Sequence, residues 1–346
     1  MTRRVLMGAA TATAQANIAL AKYWGKADLQ QNIPAVPSIS LTLQGLTTKT
    51  RVRFFADRQP DLVFLDRREA SPKERQRVVD MLDRVRSEVG CDLSAEVRSE
   101  NRFPTAAGLA SSASGFAALA SASVQALGLN WSPTRLSRLA RRSSASAARS
   151  LFGGFVELPT GEDDRIAARP LAPADHWDVR FVVASTALGP KAVGSTEGME
   201  RSRKTSPVYA AWLEQAPMWT RRIRNAVRAR DLEELGATME RSTLLFHTCA
   251  ITSVPPIYYW LPATLGVMSV VRELRERSGI SAWFTMDAGP HVKVLCQAKD
   301  APRVRRALAA CPGVLDTKTT RPGDGVVSKV QTAAPKLPRA RRKRVE

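Results

Sequence analysis

Residues 103–115 read FPTAAGLASSASG, and an alanine-rich run, Phe116–Leu127, follows them directly. Glycine and serine are poor helix formers and alanine is the best one, so the pattern predicts a loop that passes into a helix. At such a junction the unpaired backbone N–H groups, the positive end of the helix dipole and the serine hydroxyls all face one point. An anionic phosphate group is the ligand that best fits this arrangement. The same composition is also typical of a loop that only caps a helix, so the neighbouring segments have to distinguish the two.

The overall composition is that of a globular protein. The chain has 346 residues, of which 44% are hydrophobic and 24% are charged, and this length suffices for one large or two ordinary domains. No apolar run approaches the ~20 residues that a membrane-spanning helix needs. We interpret Leu6–Ala16 as a first strand rather than part of a signal peptide, because Thr11, Thr13 and Gln15 interrupt its apolar character. We therefore expect a cytoplasmic protein without membrane association.

The cysteines and histidines argue against two classes of site. Cys91, Cys249, Cys296 and Cys311 are far apart in the sequence, and the chain contains only three histidines. This pattern disfavours both a zinc site and a histidine-based catalytic triad. Reduced thiols in a cytoplasmic protein are the expected state of such cysteines.

The formal net charge of +20 is the one extreme value in the composition. It favours anionic partners, whether nucleic acid, an anionic lipid surface or phosphorylated metabolites. Aromatic residues make up only 6% of the chain, so the interleaving of basic and aromatic residues that is typical of single-strand binders is missing. We expect many of the arginines, Arg141 and Arg142 among them, to be solvated on helix faces.

Helix starts and strand runs alternate along the chain. Ser71-Pro72, Ser132-Pro133 and Ser206-Pro207 each predict a helix start, with serine as the cap and proline in the first turn. The first of these helices should end at Gly90 and bury Val79, Leu82, Val85 and Val89. Further helices are predicted over 231–248 and 262–278, and strands over 50–55, 62–65, 179–184, 281–285 and 292–296.

This alternation predicts an α/β or α+β protein with two domains. The Gly/Ser/Thr-rich segment 184–198 is a plausible junction. We place the N-terminal domain at 1–186 and the C-terminal domain at 187–330. Residues 331–346 are rich in proline, lysine and arginine without apolar periodicity, which predicts a basic disordered tail that could bind polyanions.

Five segments together resemble one known family. The chain has neither a Walker P-loop nor a G-x-G-x-x-G motif, but PTAAGLASSA at 104–113 resembles the phosphate loop of the GHMP small-molecule kinases. Four further segments resemble one branch of that superfamily, the mevalonate diphosphate decarboxylases, and they occur in the family's order within residues 14–330. They are NIALAKYWGK at 17–26, PAVPSISLTL at 34–43, SASAARSLFGGF at 144–155 and FTMDAGP at 284–290.

The resemblance implies both a fold and an activity. The fold is the GHMP-kinase fold, with an N-terminal ribosomal-protein-S5-like domain and a C-terminal ferredoxin-like domain. The activity is the ATP- and Mg²⁺-dependent conversion of mevalonate 5-diphosphate to isopentenyl diphosphate, CO₂, ADP and phosphate. That reaction belongs to the mevalonate pathway of isoprenoid and sterol biosynthesis. A homodimer is the expected assembly.

Asp287 is the residue on which the chemistry depends. Phosphorylation of a tertiary hydroxyl needs a carboxylate base close to it, and Asp287 lies between a predicted strand and the Ala288-Gly289-Pro290 turn. An aspartate in a D-x-G sequence can also do no more than initiate a turn.

The resemblance assigns roles to the remaining candidates. The catalytic residues are Asp287, Arg149 and Lys22. The substrate-binding residues are Tyr23, Lys26, Ser144, Ser146, Arg149, Ser195 and Met199, whereas we expect Trp24 to be part of the core. The nucleotide-binding residues are Asn101, Pro104, Ala107, Gly108, Leu109, Ala110, Ser111, Ser112 and Ser114, with Ser112 also near the metal.

Three departures from the family pattern leave alternatives open. Val36-Pro37 replaces Asn-Ser, the segment 143–150 lacks two glycines and a cysteine, and His291 replaces asparagine. The first two border the substrate and leave its number of phosphate groups open. A decarboxylase of the monophosphate, a mevalonate-type kinase, and a nucleic-acid-binding protein that retains the fold are the alternatives.

Overall fold

The structure, a computed structural model, describes residues 4–103, 111–189 and 191–332. The helices of these residues are α1 (Pro72–Val89), α2 (Ser111–Ala126), α3 (Pro133–Ser143), α4 (Ala145–Arg149), α5 (Ser195–Thr205), α6 (Tyr209–Ala229), α7 (Leu232–Ile251), α8 (Pro262–Ser278) and α9 (Ala301–Ala309). The strands are β1 (Leu6–Ala21), β2 (Lys26–Asp28), β3 (Ile33–Pro34), β4 (Ser38–Phe55), β5 (Leu62–Leu65), β6 (Arg68–Glu69), β7 (Ser94–Asn101), β8 (Phe155–Leu158), β9 (Arg169–Ala172), β10 (Val179–Ser185), β11 (Ala282–Thr285), β12 (Val292–Gln297), β13 (Asp316–Thr320) and β14 (Val327–Val330).

An eight-stranded sheet built around the two long strands β1 and β4 forms the first half of the molecule. Its order is β14-β1-β4-β7-β5-β6, and β8 and β9 extend it from the first part of β4. Ala10, Ala12 and Ala14 alternate along β1 and point into a core with α1, α2 and α3. Because α2 is rich in buried alanine, it can pack closely on β1 and β4.

A four-stranded antiparallel sheet, β11-β12-β10-β13, forms the second half. One of its faces packs against α8 and α9. Its other face shares a core with the far end of the first sheet and with α6 and α7; Ile18, Leu41, Phe181 and Leu235 belong to that core. The C-terminal end of β1 is therefore held between the two sheets, where the side chains that follow it can meet residues from both.

Most of the elements predicted from the sequence are confirmed. Ser71 caps α1 in a complete capping box, Ser132 caps α3, and the helices α1 and α8 end at Gly90 and Gly279 with left-handed backbone. All five predicted strands are present, and the mixed α/β class is confirmed. Trp24 lies in the core, as expected.

Three expectations from the sequence were wrong. Ser206 ends α5 rather than starting α6, since its N–H bonds to the Ser202 carbonyl and α6 begins only at Tyr209. The buried face of α1 is formed by Val78, Met81, Leu82 and Val85, so Val79 and Val89 lie at its margin.

Arg141 is the third, since its side chain is fully buried rather than solvated. Its Nη2 contacts Asp164 Oδ1 at 2.5 Å, and its Nη1 donates to the Gln31 carbonyl at 2.6 Å. Arg142, which is partly exposed, contacts the same carboxylate. The sequence pattern could not reveal this pairing because Asp164 lies more than twenty residues away.

The domain limits at 186/187 and 330/331 stay a prediction. By strand pairing, β10 lies in the second sheet, whereas β14 returns to the first sheet and pairs with β1. Pro104, Ala107, Gly108, Leu109 and Ala110, together with the part of the tail from residue 333 onward, lie outside the described residues.

Candidate active site

Lys22 directly follows β1, at the point where the two halves of the molecule meet. Its side chain is buried, and its Nζ donates to Asp287 Oδ1 at 2.8 Å and to the Ala19 carbonyl at 3.0 Å. Its main-chain N–H donates to Ser242 Oγ of α7 at 3.0 Å. Burial disfavours the charged ammonium and lowers the pKa of Lys22 to about 8, although attraction to Asp287 opposes the change.

Asp287 lies two residues beyond β11 in a turn that several hydrogen bonds fix. The Gly289 N–H donates to the Asp287 carbonyl at 2.7 Å, and the hydroxyls of Thr186 and Thr264 donate to the Pro290 carbonyl at 2.9 and 2.8 Å. The turn therefore has little freedom to move, so the fold fixes the main chain that carries the Asp287 carboxylate.

Two lysines flank the Asp287 carboxylate, one at each oxygen. Lys22 is bonded to Oδ1, and Lys293 Nζ of β12 lies 3.8 Å from Oδ2. Burial alone would raise the pKa of Asp287, but the attraction of Lys22, Lys293 and Arg149 outweighs it and lowers the pKa to about 2. The carboxylate is therefore ionised at neutral pH and able to accept a proton.

Arg149 ends the short helix α4 as a buried cation. Its Nε donates to Ser40 Oγ at 3.0 Å, its Nη1 to Ser38 Oγ at 2.6 Å and its Nη2 to Asn17 Oδ1 at 3.4 Å. Burial lowers the pKa of Arg149 to about 10, opposed by attraction to Asp287. Within the described ranges no carboxylate lies within 4.0 Å of this guanidinium, so its hydrogen-bond partners are neutral and its charge is available to an anion.

Hydroxyl groups surround the site on the side of α4. Ser144 Oγ and Ser146 Oγ are 3.0 Å apart, and the Ser146 carbonyl accepts from Asn17 Nδ2 at 3.0 Å. The Tyr23 hydroxyl is buried with no hydrogen-bond partner among the described residues, and burial raises its pKa above the ordinary value.

The start of α5 contributes a second group of polar side chains. Lys191 Nζ donates to Ser195 Oγ at 2.6 Å and to the Ala288 carbonyl, beside Asp287, at 2.9 Å. Lys26 Nζ lies 3.4 Å from the Thr196 hydroxyl. Burial lowers the pKa of Lys191 to about 8. Met199, by contrast, is buried in an apolar cluster with Trp24.

A cavity of about 200 Å³ opens between the inner face of the first sheet and the start of α2. Polar side chains from both elements line it, and they include Asn101, Ser111 and Ser112. Arg77 of α1 also lines it and donates to the Ser143 carbonyl at 3.1 Å, which places the cavity next to the turn that carries Ser144. Ser114 is buried, and its hydroxyl lies 2.6 Å from Thr48 Oγ1.

Several residues of the site were missed by the sequence analysis. Asn17, Ser38 and Ser40 lie inside the quoted motifs but hold Arg149 from distant strands, a relation that no local pattern shows. Lys191 lies outside every quoted motif. Lys293 had a detectable signal, because a lysine between Val292 and Val294 in an apolar strand is unusual.

The described residues contain no group of three or more histidine, cysteine, aspartate or glutamate side chains that could hold a metal ion. No helix among them is long and apolar enough to cross a membrane.

Comparison with known proteins gives one consistent family. A family described as the diphosphomevalonate decarboxylase-like N-terminal domain matches residues 14–168, and one described as the mevalonate 5-diphosphate decarboxylase C-terminal domain matches residues 181–338. The diphosphomevalonate decarboxylase of Schizosaccharomyces pombe is 35% identical over 306 residues, which cover 82% of this chain and 77% of that protein.

Solved structures agree with the sequence comparisons. The mevalonate diphosphate decarboxylase from Staphylococcus aureus has a TM-score of 0.89 at 37% identity and covers 93% of this chain and 98% of its own. A structure described as MDDEF in complex with MVAPP, AMPPCP and magnesium has a TM-score of 0.88 at 39% identity and covers 94% and 100%. The predicted two-domain GHMP-kinase fold is thereby confirmed. Since both halves match in order and the identity extends over most of the chain, this protein belongs to the diphosphomevalonate decarboxylase family.

Proposed function

We propose that the protein catalyses the ATP-dependent decarboxylation of mevalonate 5-diphosphate to isopentenyl diphosphate, with release of ADP, phosphate and CO₂. The observation that carries the proposal is the pair formed by the ionised Asp287 carboxylate between two lysines and the buried Arg149 cation held by neutral groups. The substrate needs both functions, because its C3 hydroxyl must lose a proton while its carboxylate is held in place.

Asp287 acts as the base on the C3 hydroxyl. Lys22 occupies Oδ1 at 2.8 Å, whereas Lys293 lies 3.8 Å from Oδ2, beyond hydrogen-bond distance. We therefore assign proton acceptance to Oδ2. The O–H bond breaks as its proton passes to Oδ2, and the hydroxyl oxygen becomes able to bond to phosphorus.

Arg149 orients the carboxylate of the substrate. Its three nitrogens are held by Ser40, Ser38 and Asn17, so the plane of the guanidinium is fixed before the substrate arrives. In the second step the C1–C2 bond breaks, its electrons form the C2–C3 double bond, and phosphate leaves from C3. A carboxylate fixed in one orientation keeps the breaking bond aligned with the leaving phosphate.

The polar side chains around α4 and α5 bind the diphosphate group. Ser144, Ser146 and Tyr23 supply hydroxyls on the α4 side, and the Tyr23 hydroxyl, which is buried with no hydrogen-bond partner among the described residues, is available to a phosphate oxygen. Lys26 supplies a cation near Thr196 of α5. Ser195 contributes on the other side, where Lys191 holds it. Met199 contributes apolar surface beneath them.

The residues present fit ATP and Mg²⁺. The cavity beside α2 offers hydroxyls and the Asn101 amide to a nucleotide, and hydroxyl and phosphate oxygens are ligands that Mg²⁺ accepts. Ser111 and Ser112 at the start of α2 would hold the phosphates, and the Ser112 hydroxyl would also be available to Mg²⁺. Lys22 and Lys191 would neutralise the negative charge on the transferring phosphoryl group. When bound, ATP supplies the phosphoryl group that turns the hydroxyl into a leaving group, and Mg²⁺ screens the phosphate charge.

The assembly and location are also proposals. The protein is a homodimer, the most common assembly of soluble oligomers. It is cytoplasmic, in support of which all four cysteines are free thiols.

A substrate series tests the function. Purified protein is given ATP and Mg²⁺ with mevalonate, its 5-phosphate or its 5-diphosphate, and ADP and CO₂ are both followed. We expect the two products in equal amounts with the diphosphate only. Equal amounts with the monophosphate would assign a phosphomevalonate decarboxylase instead, and ADP without CO₂ would assign a kinase.

A further inference from the structure

Lys293 is a buried charge to which the resemblance assigns no role. It lies in β12, the second strand of the four-stranded sheet, and only 1% of its side chain is exposed. Val292 and Val294 on either side of it are fully buried as well. An ammonium group in such a position is costly unless an anion compensates it, so a buried lysine in an apolar strand calls for a specific partner.

That anion is Asp287, and Lys293 contacts it differently from Lys22. Lys22 makes a 2.8 Å hydrogen bond to Oδ1, whereas Lys293 Nζ lies 3.8 Å from the other oxygen, Oδ2. The longer distance still gives charge attraction, but it leaves the lone pairs of Oδ2 accessible. Lys22 therefore acts on Oδ1 through a hydrogen bond, whereas Lys293 acts on Oδ2 through charge attraction.

We propose that Lys293 is a positioning residue for the base: it keeps Asp287 ionised and turns Oδ2 toward the substrate hydroxyl without occupying that oxygen. The inference rests on the proposed role of Asp287 in the reaction. It adds that Lys22 alone is insufficient, because a carboxylate paired on one oxygen can rotate about its side chain.

The other groups around Asp287 support this division of roles. Arg149 and Lys191 contribute positive charge from α4 and from the segment before α5. His247 of α7 and His291, the residue before β12, are buried. Burial is the main cause that lowers their pKa values, to about 3 and about 4, and nearby lysines lower them further. Both imidazoles are therefore neutral at pH 7. Burial lowers the pKa of Lys293 and attraction to Asp287 opposes that change, so the positive charge on the Oδ2 side depends on the contact between Lys293 and Asp287.

The test compares Lys293→Met, which removes the charge, with Lys293→Arg, which keeps it. Opposite charges within ~4–6 Å typically move a carboxyl pKa by ~1–3 units. We expect the pKa of Asp287 to rise by about one unit in Lys293→Met, which leaves the carboxylate ionised at neutral pH. At pH 7 the loss should therefore be in kcat rather than KM, because Oδ2 is no longer directed at the hydroxyl, and Lys293→Arg should restore kcat. Lys318→Met, an exposed lysine on β13 of the same sheet, is the matched control.

A second readout does not depend on turnover. Carboxyl ¹³C chemical shifts of aspartate-labelled protein, with the Asp287 signal assigned by Asp287→Asn, give the pKa of Asp287 directly in each variant. We expect it to rise in Lys293→Met only. An unchanged Asp287 titration, or the same shift in Lys293→Arg, would overturn the proposal. If the pKa moves as expected but no variant or wild type decarboxylates any mevalonate phosphate, the proposed function fails and the charge contact stands.

Discussion

Asp287 shows how one residue depends on side chains from distant parts of the chain. Its charge survives burial because Lys22 comes from the end of β1, Arg149 from α4 and Lys293 from β12. Three of these four residues could be predicted, because each lies in a quoted motif. Lys293 showed only the signal of a lysine within an apolar strand. The contacts of Lys293, and those of the three groups that hold Arg149, could not be predicted, since they arise where strands that are far apart in sequence meet.

Arg149→Lys should be far more damaging than its conserved charge suggests. An ammonium group cannot replace three directed bonds to Ser40, Ser38 and Asn17 and also present two parallel donors to a carboxylate. We expect ADP and CO₂ formation to fall together by about 10²-fold, with little change in thermal unfolding. Arg142→Lys, on the neighbouring helix and paired with Asp164, is the control. Near wild-type turnover of Arg149→Lys would mean that Arg149 supplies only a diffuse positive potential.

The fall of kcat/KM at alkaline pH should reflect the deprotonation of two lysines. The pKa values of Lys22 and Lys191 are both lowered by burial to about 8, so each loses its charge as the pH rises above that value. If both charges are needed, log kcat/KM should fall above pH 8 with a slope that approaches −2. Lys22→Arg or Lys191→Arg should each reduce the slope to −1 because arginine stays protonated. A profile that stays flat to pH 10 would contradict the assignment.

Among the elements, helix starts marked by capping serines were the most reliable predictions from the sequence, and strand pairings were the least predictable feature. Ser71 and Ser132 act locally, so their sequence suffices to locate α1 and α3. Ser206 failed because a serine before a proline suits the end of one helix as well as the start of another; its hydroxyl lies 2.8 Å from Thr252 Oγ1 on α7. The return of β14 to β1 has no local signal at all.

Two buried histidines, His291 in the turn after Asp287 and His247 on α7, should make the fold sensitive to moderate acid. His291 Nδ1 accepts the Thr186 N–H at 3.0 Å, and the pKa values of His291 and His247 are lowered to about 4 and about 3. Between pH 6.5 and 4 the unfolded chain therefore binds more protons than the folded one, so stability falls as the pH falls through that window. Each histidine should lower the free energy of unfolding by about 2 kcal/mol at pH 5 relative to pH 7.5.

Urea unfolding at these two pH values measures the effect. His291→Asn, which restores the family residue and does not titrate, should remove about half of the difference between pH 7.5 and pH 5. An unchanged difference in this variant would show that His291 is not held neutral in the folded state.

At the scale of the whole molecule, the basic residues behind the net charge of +20 form two groups. One group lies in the candidate active site. The other lies on the outer face of the first sheet, where strand pairing puts Lys329, Arg51 and Arg98 in one row that also contains Thr11. Composition correctly indicated an anionic partner but could not separate these two sets, because the separation depends on which face of a strand each residue occupies.

Shortening the chain to end at Thr332 should separate catalysis from polyanion binding. The truncated protein keeps β14 and loses the cations of the tail, Lys336, Arg339, Arg341, Arg342, Lys343 and Arg344. We expect unchanged decarboxylation and weaker RNA binding with a smaller salt dependence, because fewer counterions are released. Turnover and RNA binding at two salt concentrations measure both. Loss of turnover would show that the tail reaches the active site. Unchanged RNA binding would show that the RNA-binding surface lies on the folded part of the protein.

The most direct test of the account is single turnover of Asp287→Asn with ATP, Mg²⁺ and mevalonate 5-diphosphate. Asparagine nearly keeps the shape of aspartate but cannot take the hydroxyl proton, and a positioned base typically contributes ~10²–10⁴-fold. We expect ADP and CO₂ formation both to fall by at least about 10²-fold while nucleotide binding persists. Formation of both products at a rate close to that of the wild type would contradict this expectation.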